Sequence, residues 1–351
     1  MAGPNTDQHY LPQAYLKRWG IEGRKKRFRV PTYNRKTGKS TPIITDQICF
    51  KRGFLDYNDE AGNFISVDQD WQPIETSALR TLKSFCENPS VAVMTDQRED
   101  IAKMVAFFLL NSAAVRQDLE DALDDFNLKA PWFKVEEDDN ALKRRHIELV
   151  PRLVPDIQAT LLQMKWMLMR VGSKQKFWTS DFPFAFGDGS QIQISAKLSV
   201  KGAESEGETT LELYPALLKR PRVTMWFPFS PSVGLLFGDS AYYSEAPDEM
   251  QLNYIATMEL NRLQVYSGQQ FIFALDSDFS AVEKLAKHDP AVLNPGQPRS
   301  YVERIEFDPP IVHVEMGPEE INPEYLEWLE SEGRHLEAQE LRSQYGVGNQ
   351  G

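Results

Sequence analysis

Two short segments of the chain carry polar side chains in patterns that suit acid–base or metal chemistry. The first begins at His9 and reads His-Tyr-Leu-Pro-Gln. Histidine titrates near neutral pH and is the commonest nitrogen ligand of metals. The second, Thr179-Ser180-Asp181, ends an aromatic run, and a carboxylate at a strand end suits cation binding or general-base catalysis. The alternative for each is structural: a cap or solvated histidine in the first segment and a loop cap in the second.

Two charged residues in otherwise apolar surroundings complete the candidate set. Glu75 lies in a predicted helix, and Arg116 follows an apolar run. A buried Arg116 would need a partner, for which Glu75 is one candidate. The set suffices for phosphodiester hydrolysis with Mg²⁺ or Mn²⁺ bound by Glu75 and Asp181, and equally for a buried network that only holds the fold. The predicted catalytic residues are His9, Glu75, Asp181 and Arg116, with Tyr10, Gln13, Ser180 and Asn261 in support.

Missing motifs disfavour several familiar classes of enzyme. The sequence has no glycine-rich phosphate loop ending in Lys-Ser or Lys-Thr, no dinucleotide fingerprint, no paired-histidine zinc helix and no Gly-x-Ser-x-Gly elbow. Two cysteines are too few for a disulfide framework or a cysteine-rich zinc site. No signal peptide is evident, and the longest uncharged apolar stretch is far shorter than the ~20 residues that cross a bilayer. We therefore expect a cytoplasmic protein without membrane contact; the sequence predicts no oligomeric state.

Charge is distributed unevenly along the 351 residues, whose net charge is −12. Residues 1–54 contain twelve Lys or Arg and three acids, a balance of +9, whereas residues 303–342 carry −9. Basic residues interleaved with aromatic ones are typical of contacts with a phosphate backbone. The other interpretation is internal compensation, in which the basic segment docks on the acidic body. The predicted nucleic-acid-binding residues are Arg24, Lys25, Lys26, Arg27, Arg29, Lys51 and Arg52.

Apolar periodicity predicts an α+β fold with a helical N-terminal half, a small β-hairpin, and a mixed, mainly antiparallel sheet in the second half. The hairpin is expected over 27–34 and 41–50, around Gly38. Helices are expected over 70–86, from a capping box at Asp96 to about 126, and over 140–170, where a Met- and Trp-rich stretch should be buried. Four regions follow: a basic segment (1–68), a helical region (69–172), a β-rich region with a helix (173–290) and an acidic tail with one helix (291–351).

The order of these motifs resembles a bacterial family. The His-Tyr-x-Pro-x-x-Tyr-Leu start, Glu75, the Thr-Ser-Asp-x-Pro segment and Phe-Pro-Phe-Ser-Pro from Phe227 are similar to the uncharacterised family catalogued as domain of unknown function 4238. The resemblance covers about residues 8–275 and excludes the acidic tail. It implies no established activity.

The combined prediction is a hydrolase acting on nucleic acid, such as a metal-dependent nuclease used in bacterial defence or as a toxin. The basic segment would hold phosphates, while His9, Glu75 and Asp181 would do the chemistry. The alternative is a non-catalytic binding or regulatory protein that uses the basic face. A third hypothesis is a small-molecule enzyme with a pocket between the helical and β-rich parts.

Overall fold

The structure is a computed structural model of the chain. It describes residues 7–59, 61–129, 138–172, 174–187, 194–201, 208–212, 215–219, 221–288 and 300–308, together with 330, 339 and 342. The helix predicted for the acidic tail lies almost wholly outside these residues. Within them, no helix is both long and apolar enough to cross a membrane.

The first part of the chain consists mainly of short strands. Its elements are β1 (Asp7–His9), α1 (Gln13–Leu16), β2 (Ile21–Glu22), β3 (Phe28–Asn34), β4 (Lys39–Ile44), β5 (Phe50–Arg52), β6 (Asp56–Asn58) and β7 (Phe64–Ser66). The chain is α+β, but the prediction of a helical N-terminal half is wrong, because the first 65 or so residues are mostly strands and the helices lie in the middle. Period-two alternation indicated only the hairpin. The other strands in this part are two or three residues long, which is too short for a periodicity to show.

The predicted hairpin is present as β3 and β4, paired antiparallel from Arg29–Ile44 to Asn34–Lys39. Its second strand, expected to run to residue 50, ends at Ile44. Gly38 lies in its turn with a φ of 64°, a backbone conformation that glycine adopts without steric cost. β1 pairs antiparallel with β5, which sets His9 opposite Phe50. The strand that carries His9 is therefore paired with a strand that follows the hairpin in the sequence.

The described residues in the middle of the chain form five helices. They are α2 (Asp68–Glu87), α3 (Val91–Asp96), α4 (Arg98–Leu110), α5 (Ala113–Lys129) and α6 (Asp139–Gln163). The helix predicted over 70–86 is confirmed as α2. The capping box at Asp96 is wrong: Ser90 caps α3 by accepting the Val93 N–H, so Asp96 becomes the last residue of that helix.

The second half alternates strands with short helices. Its elements are β8 (Lys165–Val171), β9 (Thr179–Ser180), β10 (Ala185–Gly187), β11 (Ile194–Lys201), β12 (Glu208–Glu212), α7 (Pro215–Leu218), β13 (Thr224–Ser230), β14 (Val233–Gly238), β15 (Glu249–Leu252), α8 (Tyr254–Ser267), β16 (Phe271–Phe273), α9 (Ser280–His288) and β17 (Ser300–Asp308). The Met- and Trp-rich stretch predicted as helix is the strand β8. It lies inside a five-stranded sheet ordered β10-β13-β14-β8-β15, where both of its faces are covered. A strand covered on both faces shows no alternation, which is why periodicity did not distinguish it from a buried helix.

A second five-stranded sheet joins strands of the N-terminal part to strands of the second half. Its order is β2-β3-β16-β9, with β4 on the other edge of β3. The fully buried Tyr15 adds a second link, because its hydroxyl lies 2.7 Å from the Thr179 Oγ1 and donates to the Pro228 carbonyl at 2.8 Å. The Trp19 Nε1 donates to the Phe177 carbonyl at 2.9 Å. The segment after His9 is thus fixed to the β-rich half by buried hydrogen bonds.

Candidate active site

A polar cleft lies between the N-terminal segment, α2 and the end of α4. Its volume is about 510 Å³, within the range of small-ligand sites. The face of α2 that lines it carries residues at three- and four-residue spacing, which places them on one side of a helix. The lining side chains that bear on chemistry are His9, Gln13, Lys17, Asp68, Trp71, Glu75, Phe107 and Asn111. Two residues predicted as catalytic, His9 and Glu75, therefore line one cleft, as does Gln13.

His9 is held in the cleft as a half-buried imidazole. Its Nε2 lies 3.4 Å from the Nε2 of Gln13, and its ring centroid lies 5.7 Å from that of Phe50. Partial burial lowers the pKa of His9 below 6.5, and hydrogen bonding to the Thr45 carbonyl and the nearby Asp46 charge oppose this only in part. The imidazole is therefore neutral at neutral pH, with one ring nitrogen able to accept a proton.

Glu75 faces the same cleft from α2, with Asp68 about two helical turns before it. Burial raises the pKa of the Glu75 carboxyl above 4.5, and the negative charge of Asp68 raises it further. A carboxyl that keeps its proton to higher pH can act as a general acid. A neutral imidazole and a carboxyl with a raised pKa thus face one cavity from two different elements.

Asn111 forms part of the cleft directly after the last turn of α4. The side chain is 7% exposed, and its Oδ1 is buried without a hydrogen-bond partner among the described residues. An unpaired buried amide oxygen costs about 1–3 kcal/mol. Trp71 and Phe107 form the apolar part of the lining, with ring centroids 5.9 Å apart at an interplanar angle of 72°.

Asp181 lies elsewhere, in a buried loop contact. Its Oδ1 accepts the Gln269 N–H at 2.8 Å and its Oδ2 accepts the Gln270 N–H at 2.9 Å. Burial raises its pKa, and these backbone hydrogen bonds and the charge of Arg35 lower it in part. Asp181 does not line the cleft, so the structure does not bring it together with Glu75 as the predicted pair of metal ligands. Among the described residues, no group of three or more His, Cys, Asp or Glu side chains is arranged to hold a metal ion.

Arg116 is buried near a second pocket. Its Nη2 donates to the Phe54 carbonyl at 2.6 Å and its guanidinium lies over the Phe54 ring, 4.0 Å from the centroid. The same nitrogen lies 3.0 Å from the Nδ1 of His146. The partner is therefore not Glu75. Burial lowers the pKa of Arg116 to about 10.

The supporting residues divide between the cleft and the core. Gln13 contacts His9, whereas Tyr10 is buried against Phe54. Ser180 donates to the Phe182 carbonyl and lies 3.2 Å from the Gln264 Oε1. Asn261 on α8 accepts the Trp178 N–H at 2.8 Å and donates to the Lys176 carbonyl at 2.9 Å. Ser180 and Asn261 thus bind the Thr-Ser-Asp segment to α8.

The predicted phosphate-binding residues are exposed, and none of them lines the cleft. Arg24, Lys25 and Lys26 form a 3₁₀ turn, in which both lysines have positive φ angles. Lys17 lines the cleft, and its Nζ lies 5.9 Å from the centroid of the Phe28 ring. Phe28 follows this turn in the sequence and stands between Arg27 and Arg29. Arg52 lies 3.9 Å from Asp7, while Lys51 lines the second pocket with Arg116.

Five residues of this lining set were missed by the sequence interpretation: Lys17, Asp68, Trp71, Phe107 and Asn111. A signal existed for the two on α2, because Asp68, Trp71 and Glu75 share one helical face. Asn111 was visible as a polar residue at the end of the apolar run Phe-Phe-Leu-Leu. Lys17 gave no signal apart from its charge.

No curated protein and no solved structure matches the chain. A family described as "Protein of unknown function (DUF4238)" matches residues 7–278, the span that holds the cleft, both five-stranded sheets and all the predicted site residues. The resemblance inferred from the motifs is confirmed, and the chain belongs to the DUF4238 family.

Proposed function

We propose that the chain is a hydrolase that cleaves a phosphodiester bond of nucleic acid in the His9–Glu75 cleft. The observation that carries the proposal is that His9 and Glu75, distant in sequence, line one cavity with pKa values displaced in the directions that a base and an acid need. In an acid–base hydrolysis, neutral His9 takes a proton from the attacking water as the new P–O bond forms. Glu75 gives its proton to the oxygen that leaves as the old P–O bond breaks.

The cationic surroundings support nucleic acid as the substrate. Lys17 supplies a positive charge at the cleft, and the exposed turn Arg24–Lys26 lies beyond it along the same segment. In the described part of the chain, no acidic side chain lies within ion-pair distance of Arg24, Lys25 or Lys26. Cations without internal partners are free to contact phosphates, which dominate affinity for nucleic acid.

The experiment is a cleavage assay on RNA and DNA with purified protein, run in EDTA and in Mg²⁺ or Mn²⁺. We expect cleavage that falls at least 100-fold in His9→Ala and Glu75→Gln, the usual contribution of a general acid or base. Matched controls are His288→Ala, an exposed histidine of α9, and Glu87→Gln at the exposed end of α2. Activity that survives EDTA supports acid–base catalysis by His9 and Glu75, whereas cleavage only with added metal would contradict it.

The second candidate function is binding without catalysis, favoured by the exposed basic turn alone. A complex with nucleic acid that weakens as salt rises, formed without any cleavage, would support it over the hydrolase. Equal cleavage by wild type and both cleft variants would also remove the catalytic assignment.

A further inference from the structure

The second pocket, of about 250 Å³, lies between β5, α5 and the start of α6. Among the described residues, it has no lining residue in common with the His9–Glu75 cleft. Pockets for drug-sized ligands begin at about 300 Å³, so a ligand of this pocket is smaller than a nucleotide. Charges of both signs line it: the cations of Lys51 and Arg116 and the carboxylates of Glu120, Asp124, Asp138 and Asp139.

Arg116 presents one unpaired nitrogen to this pocket. The residue is only 6% exposed, its Nη2 donates to the Phe54 carbonyl, and its Nε and Nη2 both lie within hydrogen-bond distance of the His146 Nδ1. The remaining nitrogen, Nη1, has no hydrogen-bond partner in the described part of the chain. It keeps contact with solvent, in contrast to the unpaired Nε of Arg18, which is closed to solvent. A ligand in the pocket therefore meets a charged donor that the fold leaves without an acceptor.

Lys51 adds a second positive charge to the lining. Within the described ranges of the chain, no acidic group lies at ion-pair distance from its ammonium. Desolvation of the side chain and then the positive charge of Arg116 lower the pKa of Lys51, and the charges of Glu120 and Asp139 oppose this only in part. The two cations are thus close enough to repel each other, and one anionic group bound between them relieves that repulsion.

Two of the four carboxylates in the lining have no cationic partner. Asp139 pairs with Lys143 at 2.6 Å, and Asp138 accepts a backbone N–H as the N-cap of α6. Glu120 and Asp124 lie one helical turn apart at exposed positions of α5, and neither has an ion-pair partner among the residues that the structure describes. These two carboxylates repel a polyanion such as a phosphate backbone and attract an ammonium group. A ligand with one anionic and one cationic group therefore balances the unpaired charges.

We propose that the second pocket binds a free α-amino acid, a ligand outside the proposed cleavage of nucleic acid. The carboxylate of the ligand accepts hydrogen bonds from the Arg116 Nη1 and the Lys51 Nζ, and its ammonium donates to Glu120 and Asp124. The carboxylate lies on the side of the buried guanidinium, because a charge-assisted hydrogen bond there replaces one that the fold does not make. An amino acid carries both charges on one carbon atom, which suits a pocket too small for a nucleotide.

The test measures binding of each of the twenty standard L-amino acids, and of inorganic phosphate, to the full chain by isothermal titration calorimetry. At least one amino acid is expected to bind with a Kd below about 1 mM. Its N-acetyl derivative lacks the ammonium and its α-carboxamide lacks the carboxylate, and each is expected to bind at least tenfold more weakly because charge-assisted hydrogen bonds are lost. These comparisons need no variant, so they stand even if a substitution in the pocket unfolds the protein.

Variants then locate the binding site. Lys51→Gln removes a charge from the carboxylate end of the ligand and Asp124→Asn removes one from the ammonium end, and both positions are exposed, so the core is left intact. Each variant is expected to bind the amino acid at least tenfold more weakly than wild type. Lys39→Gln on β4 and Asp156→Asn on α6 are the matched controls, exposed and outside the lining, and should bind as wild type does. Thermal melting checks that all four variants are folded.

Several outcomes would overturn the inference. They are the absence of binding by any amino acid, equal binding of the amino acid and its two derivatives, and unchanged affinity in both Lys51→Gln and Asp124→Asn. Inorganic phosphate that binds more tightly than every amino acid, and loses that binding in Lys51→Gln, would also overturn it, because the pocket would then be a site for anions alone. None of these measurements involves cleavage of nucleic acid, so this inference and the proposed function stand or fail separately.

Discussion

The Nη2 of Arg116 lies 3.0 Å from the Nδ1 of His146, whose Nε2 lies 2.8 Å from the Leu110 carbonyl oxygen. Since a carbonyl only accepts, the His146 Nε2 carries the proton and its Nδ1 accepts from the guanidinium. His146 is fully buried, and burial together with the charge of Arg116 lowers its pKa to about 3. A buried arginine is thus held by a neutral imidazole and the Phe54 carbonyl, with no carboxylate at ion-pair distance among the described residues.

Stability should fall with acidification through His146. The folded pKa of about 3 lies below the ordinary 6.5, so the unfolded chain binds more protons between these values and folding weakens as pH falls through that window. We expect a contribution of about 2 kcal/mol to be lost between pH 7.5 and pH 5, at 1.36 kcal/mol per pKa unit. Urea unfolding of wild type and His146→Gln across this range measures the difference.

His146→Gln is the informative substitution because its amide can both donate to Leu110 and accept from Arg116. We expect its stability to depend less steeply on pH than that of wild type. His146→Leu should instead lower stability at every pH, because the Arg116 guanidinium loses an acceptor. Parallel pH profiles for wild type and His146→Gln would contradict the assigned protonation state.

Asp181→Ala should destabilise the protein by about 3 kcal/mol, because the N–H groups of Gln269 and Gln270 lose their buried acceptor. Asp278→Ala is the control: that carboxylate also accepts a backbone N–H, from Ser280, but is exposed, so about 1 kcal/mol is expected. Chemical denaturation gives both values. Cleavage per folded molecule of Asp181→Asn should remain within threefold of wild type, and a hundredfold loss with an intact fold would restore the catalytic role predicted from sequence.

The sequence predicted the elements whose patterns are local and failed where tertiary contacts decide. The β3–β4 hairpin and α2 followed from turn chemistry and helical spacing. Residues 165–171 were predicted as helix, because a strand covered on both faces has the composition of a buried helix. The same limit applies to the site: His9 and Glu75 were identified by residue type, but their convergence with Asn111 depends on how α2 and α4 pack, which no spacing along the chain encodes.

The rate of cleavage should peak on the acid side of neutrality. His9 acts as a base when neutral, and its lowered pKa keeps the imidazole neutral at pH values below the ordinary 6.5. Glu75 acts as an acid when protonated, and its raised pKa keeps the carboxyl protonated at pH values above the ordinary 4.5. We expect a bell-shaped profile of kcat/KM with a maximum below pH 7. Glu75→Gln should lose the alkaline limb along with most activity, while Glu87→Gln should keep both limbs. A maximum at or above pH 8 would contradict the assigned roles.

The basic turn should provide affinity without catalysis. Lys25→Gln/Lys26→Gln removes two exposed charges that have no ion-pair partner among the described residues, and Gln meets the same positive φ angles as Lys. Each phosphate contact with a single strand contributes about 0.7 to the slope of log affinity against log salt, so the slope should become shallower by about 1.4. Binding isotherms at several salt concentrations measure this, and we expect about tenfold weaker binding at low salt with kcat unchanged.

Lys284→Gln/Lys287→Gln is the matched control, because it removes the same charge from exposed positions on α9. A general effect of net charge would weaken binding equally in both double variants, whereas a local contact weakens it only at the turn. If instead the basic segment docks on the acidic body of the protein, the Lys25→Gln/Lys26→Gln variant should melt at a lower temperature in low salt and bind nucleic acid as wild type does. Melting and binding measured on one preparation therefore decide between a phosphate contact and internal charge compensation.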